Sequence, residues 1–206
     1  MMKNKIIKWV IGILIVLLVV DGGATLYFYN VAAIRSSAAV KQVSKKSPNH
    51  ALVVQFDQLK KTKKTLTTDG LKLDAWYVAA DQPTHKTVVI VHGFRQDKSA
   101  MRQYGELFHQ LGYNVLMPDN RGAGASQGKF ISYGYYDKTD VIAWTKQLTK
   151  EDPKSDIKRY GPSMGAATDM MASGQKSVPS SVRSIIEDGG YSGVWDEITY
   201  QAKASY

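Results

Sequence analysis

The chain has 206 residues, with 27 Lys or Arg against 18 Asp or Glu, so its formal net charge is +9 at pH 7. Its 44% hydrophobic and 22% charged residues are typical of a globular protein, which excludes a wholly disordered chain, collagen and a polytopic membrane protein. The sequence has no cysteine, which excludes a disulfide framework, an iron–sulfur cluster, a Cys-type zinc site and a cysteine nucleophile.

The N-terminal segment predicts a helix that crosses a membrane. Three lysines stand among the first eight residues, and the stretch Ile6–Tyr29 is largely apolar, with an interruption at Asp21. At about 1.5 Å per residue, this stretch is long enough to span about 30 Å of hydrocarbon. A cleaved signal peptide shares the basic start and the apolar core, and a buried core helix is the third alternative.

We expect an uncleaved, single-pass anchor in the cell membrane, with membrane lipid as the partner of this helix. Basic residues nearly balance on the two flanks, so the positive-inside rule does not decide the orientation. The layout resembles a signal anchor, and this resemblance predicts that the remainder of the chain is extracytoplasmic.

Composition divides the chain into a membrane segment (1–34), a polar linker and lead-in (35–60) and a globular domain (61–206). The densest basic cluster lies where the second segment meets the third. It is either a solvated strand edge or a patch attracted to anionic lipid headgroups. No nucleic-acid-binding motif accompanies the positive charge, so we expect no nucleic-acid partner. The cluster consists of Lys60, Lys61, Lys63 and Lys64.

The globular domain opens with a predicted hairpin. Thr65–Thr68 and Leu71–Ala79 flank Asp69 and Gly70, a dipeptide that favours a tight turn. Apolar and polar residues alternate along the second strand, which predicts a strand with one buried and one exposed face.

Strands and helices then alternate along the chain. The run Thr87–Val91 is typical of a parallel strand buried on both faces. Alternation of this kind predicts βαβ units, a parallel sheet and helices on both of its faces. The other predicted strands are 113–117, 157–161 and 182–186, and the predicted helices are 99–111, 135–148, 163–174 and 191–206.

The strand before the third of these helices carries two adjacent cations, Lys158 and Arg159. Charges are costly in a strand that is buried on both faces. We therefore expect either a shortened strand or a segment whose sequence has drifted.

The strongest motif is the G-x-S-x-G sequence of residues 161–165, between a predicted strand and a predicted helix. A serine on such a sharp turn exposes its hydroxyl at the carboxyl edge of a sheet, and the glycines Gly161 and Gly165 permit the turn. A second motif, His92-Gly93-Phe94, directly follows Thr87–Val91. The backbone N–H group of Phe94 in this motif and that of Met164 in the G-x-S-x-G motif could donate together to an oxyanion.

Three further features stand near these motifs. His92 is interpreted as a structural residue of its loop. The Gly-rich loop 119–126, which contains Arg121, is a weak phosphate cradle because it lacks the P-loop pattern. Tyr133, Tyr135 and Tyr136 either line a pocket or pack in the core.

Three motifs, in their order and spacing, resemble those of the α/β-hydrolase superfamily. They are V-I-V-H-G-F, P-D-N-R-G-A-G-A-S and G-P-S-M-G-A-A. More narrowly, the chain resembles membrane-anchored bacterial serine hydrolases of that fold, which are esterase- or peptidase-like. The resemblance runs from about Thr65 to Tyr206. It implies an α/β fold with a mostly parallel sheet and helices on both faces.

The same resemblance implies Ser163 as the nucleophile and the N–H groups of Phe94 and Met164 as the oxyanion hole. His92, Gly93 and Arg121, with the two glycines of the G-x-S-x-G motif, support the assignment. The implied reaction is acyl transfer from a small-molecule or peptide ester, amide or thioester through an acyl-serine. No metal and no organic cofactor are implied.

The chain departs from this superfamily after the nucleophile. There the acid and then a histidine should follow the serine, whereas all four histidines of this chain precede Ser163. Asp188 is a weak candidate for the acid, and a plain loop carboxylate is its alternative role. The four histidines are His50, His85, His92 and His109.

The superfamily sheet has eight strands, and about six are predicted here. We therefore expect a chain truncated at its C-terminus, inactive or incomplete as a hydrolase by itself. The alternative is a catalytically dead remnant, or a surface binding module with a hydrolase-like fold.

Overall fold

The computed structural model describes residues 2–35, 40 and 43–205. It divides into two compact units, 1–34 and 35–206. The first unit is helix α1 (Met2–Ala33). By length and composition, its stretch Lys5–Ala33 could cross a membrane, and its most apolar window has a mean hydropathy of 2.3.

The second unit is built on one mixed sheet of six strands in the order β1-β2-β4-β3-β5-β6. The hairpin partners β1 and β2 are antiparallel, and β2 is antiparallel to β4. From β4 through β3 and β5 to β6, all neighbours are parallel. The prediction of a mostly parallel α/β sheet is therefore confirmed. The strands are β1 (Thr62–Thr68), β2 (Leu71–Val78), β3 (Lys86–Ile90), β4 (Asn114–Pro118), β5 (Asp156–Pro162) and β6 (Val182–Asp188).

Among the described residues, five helices accompany the sheet, and four of them match the predicted helices. A 3-10 turn, Lys98–Met101, leads into α3. The last helix begins at Val194 and is described to Ser205, so the predicted end at Tyr206 lies outside the described residues. The helices are α2 (His50–Gln58), α3 (Arg102–Gln110), α4 (Asp137–Glu151), α5 (Met164–Ser173) and α6 (Val194–Ser205).

Helix α2 lies in the segment predicted as linker and lead-in, and the sequence analysis missed it. Its nine residues bury only Val53 and Phe56, and no side chain caps its N-terminus. Such a short helix is marginal in isolation, so tertiary packing is what stabilises it. Part of the predicted linker, residues 36–39 and 41–42, lies outside the described residues.

Helices cover both faces of the sheet, as predicted for parallel strands. In β3, Val88 faces a core that includes Phe56 of α2 and Met101. Its neighbour Val89 faces the opposite core, which includes Trp144 of α4. This double burial explains the continuous apolar run in the sequence.

Strand β2 differs from its prediction, because Asp74 on its polar face is also buried. Asp74 is buried and forms 2.8 Å ion pairs with Lys63 and Lys98. Burial by itself raises the pKa of Asp74, but hydrogen bonds from the two lysines outweigh it and hold that pKa below its ordinary value. Lys64, another member of the lysine cluster, pairs with Glu151 at 2.6 Å. Part of this cluster therefore forms ion pairs within the fold.

Strand β5 runs its full seven residues, so the predicted shortening is wrong. Arg159 is fully buried and pairs with the buried Asp169 of α5, with 3.3 Å between Nε and Oδ1. Lys158 keeps part of its side chain in solvent. A buried counter-charge on the neighbouring helix is therefore how this strand tolerates an arginine. Burial raises the pKa of Asp169 to about 7, against the opposing effect of Arg159.

Candidate active site

The motifs found in the sequence meet at one edge of the sheet. Because β3 to β6 are parallel, their carboxyl ends lie together. His92-Gly93-Phe94 follows β3, the loop 119–126 follows β4, Ser163 follows β5, and Asp188 ends β6. Topology thus assembles segments that are far apart in the chain.

Ser163 occupies a sharp turn between β5 and α5. Its backbone has φ 53° and ψ −119°, a strained conformation for a residue other than glycine. The residue is exposed, whereas the next two are buried. Its backbone N–H donates to the Asp188 carbonyl at 2.8 Å, which ties the turn to the end of β6.

The two flanking glycines are required by close backbone contacts. A Cβ at position 161 would lie 2.3 Å from the carbonyl carbon of Gly165. A Cβ at position 165 would lie 2.1 Å from the Val91 carbonyl oxygen. Real Cβ atoms cannot approach so closely, so only glycine fits at either position.

His92 is buried and both of its ring nitrogens are engaged. Nδ1 lies 2.9 Å from the Gly93 carbonyl oxygen, which can only accept, and Nε2 lies 3.0 Å from the Asn120 N–H, which can only donate. These partners require a neutral ring with its proton on Nδ1. Burial also lowers the pKa of His92. The residue therefore joins the β3 and β4 loops and is not free to act as a base.

The two N–H groups predicted for the oxyanion hole, those of Phe94 and Met164, donate to no acceptor within the described part of the chain. A cavity of about 230 Å³ has Gly93, Phe94 and Ser163 in its wall. Gln96 also lines it, and its Oε1 accepts from the Gly93 N–H at 3.1 Å. The structure thus brings the serine and Phe94, which carries one of the two N–H groups, to the wall of the same cavity.

The Gly-rich loop 119–126 is closed around its own carboxylate. Asp119 is fully buried and accepts from the Ala125 N–H at 2.7 Å and from Lys98. A Cβ at Gly124 would collide with the Asp119 carboxylate. The interior that a phosphate would need is therefore occupied by a side chain of like charge.

Arg121 is engaged by two carboxylates. Its guanidinium makes a two-pronged contact with Asp140 of α4, at 2.6 and 2.7 Å, and reaches Asp69 at 2.9 Å. The hydrogen bonds that Arg121 donates to Asp140 are the main reason that the pKa of Arg121 lies above its ordinary value. Arg121 therefore fastens the β4 loop to α4.

Three of the four histidines, His85, His92 and His109, are engaged by partners other than Ser163. His85 pairs with Asp152 at 2.8 Å, and His109 lies 3.1 Å from the Ala79 carbonyl. Both contacts are at the amino edge of the parallel strands, opposite Ser163. His50 is the first residue of α2.

Asp188, the candidate acid, is exposed at the end of β6. Its carboxylate accepts a 3.3 Å hydrogen bond from the Tyr160 hydroxyl. Its role as catalytic acid stays a prediction. The structure shows that its backbone supports the serine turn.

Sequence reasoning missed a second, larger cavity beside the first. It has a volume of about 400 Å³, shares Gln96 with the smaller cavity, and includes Met164 in its wall. Arg35 and Arg95 also line it. In the sequence, each of these arginines lies in a polar segment, and the two segments are far apart in the chain. This pattern does not predict that the fold brings the two arginines to one cavity.

The three tyrosines after β4 have different environments. Tyr133 stacks on Phe94 with ring centroids 5.3 Å apart, and its carbonyl accepts from the Tyr191 hydroxyl at 3.0 Å. Tyr135 and Tyr136 are exposed and line a separate cavity. Core packing therefore describes only the first of them. Across the described residues, no group of three or more His, Asp or Glu could hold a metal ion.

Comparison with known proteins places this geometry in context. A family model described as serine aminopeptidase, S33, matches residues 82–190. The uncharacterized protein YqkD of Bacillus subtilis is 30% identical over 159 residues, which cover 76% of this chain and 52% of that protein. The uncharacterized protein Rv2307c of Mycobacterium tuberculosis is 30% identical over 103 residues, which cover 49% of this chain and 36% of that protein. The chain thus spans about half the length of YqkD and less of Rv2307c.

Among solved structures, the esterase PF2001 of Pyrococcus furiosus is similar with a TM-score of 0.62 and 26% identity. The match covers 80% of this chain and 62% of the esterase chain. The alpha/beta hydrolase GrgF from Penicillium matches in fold, with a TM-score of 0.56 and 22% identity over 71% of this chain and 53% of that one.

Proposed function

The chain belongs to the serine aminopeptidase S33 family of α/β-hydrolases, and from this premise we propose that it carries the nucleophile half of a serine hydrolase site. Ser163 would attack the carbonyl carbon of an ester, amide or thioester. The bond to the leaving group breaks, and an acyl-serine forms. The developing negative charge on the carbonyl oxygen would be met by the N–H groups of Phe94 and Met164.

The observation that carries this proposal is the conformation of the serine turn. Ser163 is exposed at φ 53°, with Gly161 and Gly165 in contacts that admit no side chain. Strain of this kind costs of order 1 to 3 kcal/mol and persists where the surrounding structure enforces it. A turn needed only to connect β5 with α5 would require neither the strain nor the exposed hydroxyl.

We propose that the base is the part of the mechanism that the described residues do not provide. Serine attack requires a group that accepts the hydroxyl proton. His92 is neutral but uses both nitrogens in its loop, and His85 and His109 lie at the other edge of the sheet. We therefore propose that residues 2–35, 40 and 43–205 present the serine but turn over substrate poorly without an added base.

Chemical rescue with imidazole tests both parts of this proposal. The purified chain would be treated with a fluorophosphonate at rising imidazole concentration, and intact mass would be followed over time. We expect slow formation of a single adduct that imidazole accelerates. The Ser163→Ala variant is the control and should form none.

Two outcomes would contradict the proposal. A chain that is folded by circular dichroism and forms no adduct at any imidazole concentration does not present Ser163 as a nucleophile. Rapid labelling that imidazole does not change would show that the base is already present. The first outcome would favour the alternative of a catalytically dead binding module.

The esterase PF2001 is similar to this chain in structure, and the family model is described as a serine aminopeptidase. We therefore propose a small-molecule or peptide acyl compound as the substrate. Helix α1 supports a further proposal, that a single-pass anchor in the cell membrane holds the domain on the extracytoplasmic side. Its length and apolar composition support the span, and the resemblance to a signal anchor supports the orientation.

A further inference from the structure

The 400 Å³ cavity beside Ser163 has a cationic wall. Three arginines line it against a single carboxylate, that of Asp97. Two of the arginines, Arg35 and Arg95, have no carboxylate within 4 Å among the residues that the structure describes. The third, Arg121, is already paired with Asp140 and Asp69.

The remaining polar groups do not neutralise these two cations. Arg35 donates to the carbonyl oxygens of Ser126, at 2.8 Å, and Gly124, which carry no net charge. Those bonds hold the guanidinium in the wall of the cavity. The Asp97 carboxylate accepts from the N–H and hydroxyl of Ser99, as the cap of the 3-10 turn. His92 in the same wall is neutral.

Arg95 has a second unusual property. Its backbone φ is +54°, a left-handed value that is uncommon for residues other than Gly, Asn and Asp. It directly follows Phe94, whose N–H is the proposed oxyanion donor. Arg95 is thus an exposed residue in a strained conformation, and it pairs with no carboxylate among the described residues.

We propose that this cavity is a subsite for an anionic group, a carboxylate or a phosphate, carried by the acyl compound that Ser163 attacks. Guanidinium groups bind such anions through charge-assisted, often two-pronged hydrogen bonds. Met164 connects the subsite to the chemistry, because it is part of the cavity wall and its N–H is the second proposed oxyanion donor. The inference rests on the proposed function and narrows its substrate class to anionic acyl compounds.

Equilibrium binding tests this inference without requiring turnover. Dissociation constants of monomethyl glutarate and of uncharged dimethyl glutarate would be measured by ligand-observed NMR, with the full chain in a neutral detergent. We expect the anionic ester to bind about tenfold more tightly, as a charge-assisted contact implies. In Arg95→Gln this ratio should fall toward one, and Arg95→Lys should retain part of it.

Arg183→Gln is the matched control, since Arg183 is exposed on β6 and outside this cavity. It should leave the ratio unchanged. Equal affinity for the two esters, or an equal loss of the ratio in both Gln variants, would overturn the inference.

Failure of the proposed function is detected by a different experiment, the labelling of Ser163. It appears as the absence of a fluorophosphonate adduct at Ser163, which does not affect these dissociation constants. A chain that binds the anionic ester through Arg95 but never labels would retain the subsite and lose the hydrolase assignment.

Discussion

At the scale of single residues, the serine turn depends on two positions where a side chain is impossible. Gly165 packs directly on the carbonyl of Val91, at the end of β3. This contact sets the distance between the turn and the loop that carries Phe94. The glycines of the motif therefore position the proposed oxyanion hole as well as permitting the turn.

Gly165→Ala should destabilise the chain by at least about 2 kcal/mol, because the new Cβ would overlap backbone atoms that cannot move aside. Gly174→Ala is the matched control, since its Cβ would meet nothing within 4 Å and its φ is −75°. Urea unfolding followed by tryptophan fluorescence measures both. Equal midpoints for the two variants would contradict the contact.

His92 shows how a residue of the right chemical type is removed from catalysis by its partners. A carbonyl acceptor on Nδ1 and an N–H donor on Nε2 leave no lone pair for the serine proton. These contacts support the structural role that the sequence predicts for His92. The same contacts keep the loops after β3 and β4 in a fixed relation.

At the scale of elements, the pairing of β5 with α5 rests on a buried ion pair. Arg159 of the strand and Asp169 of the helix are both fully buried, 3.3 Å apart. The Arg159 guanidinium also donates to the Asp169 carbonyl at 3.2 Å. Ser163 lies between β5 and α5, so this ion pair helps to fix the angle between the strand and the helix at the serine turn.

Asp169→Asn should lower the free energy of unfolding by about 3 kcal/mol, because it leaves Arg159 buried without a counter-charge. The double variant Arg159→Met/Asp169→Leu should recover most of that loss, since apolar side chains of similar size pack there without a desolvation cost. Urea midpoints give both values. A double variant less stable than Asp169→Asn would show that the pair contributes net stability.

At the scale of the whole molecule, the chain combines an apolar helix with a hydrolase-type unit. The described sheet contains six strands, and the chain spans 52% of YqkD and 62% of the esterase PF2001. The carboxyl edge presents a serine, two unused N–H groups and a cationic cavity. None of the described residues is assigned as the base that would accept the Ser163 proton.

If α1 anchors the chain, the full-length protein should stay in the membrane pellet after alkaline carbonate extraction. Ile13→Lys with Val16→Lys should shift it to the supernatant, because each lysine costs about 3 kcal/mol near the centre of the bilayer. Ile13→Val with Val16→Ile is the control and should change nothing. A mature chain that lacks α1 by N-terminal sequencing would show a cleaved signal instead.

Sequence by itself determined, in outline, the strands, four of the five described helices that follow α1, and the three motifs at the sheet edge. Hydrophobic period and turn chemistry are local properties, and the order of the motifs follows from parallel topology. Only the tertiary structure decided how Arg159 is neutralised, why Asp74 of β2 is buried and where α2 packs. It alone also brought Arg35 and Arg95 to one cavity. These features depend on contacts between residues far apart in the chain, and no local pattern encodes such contacts.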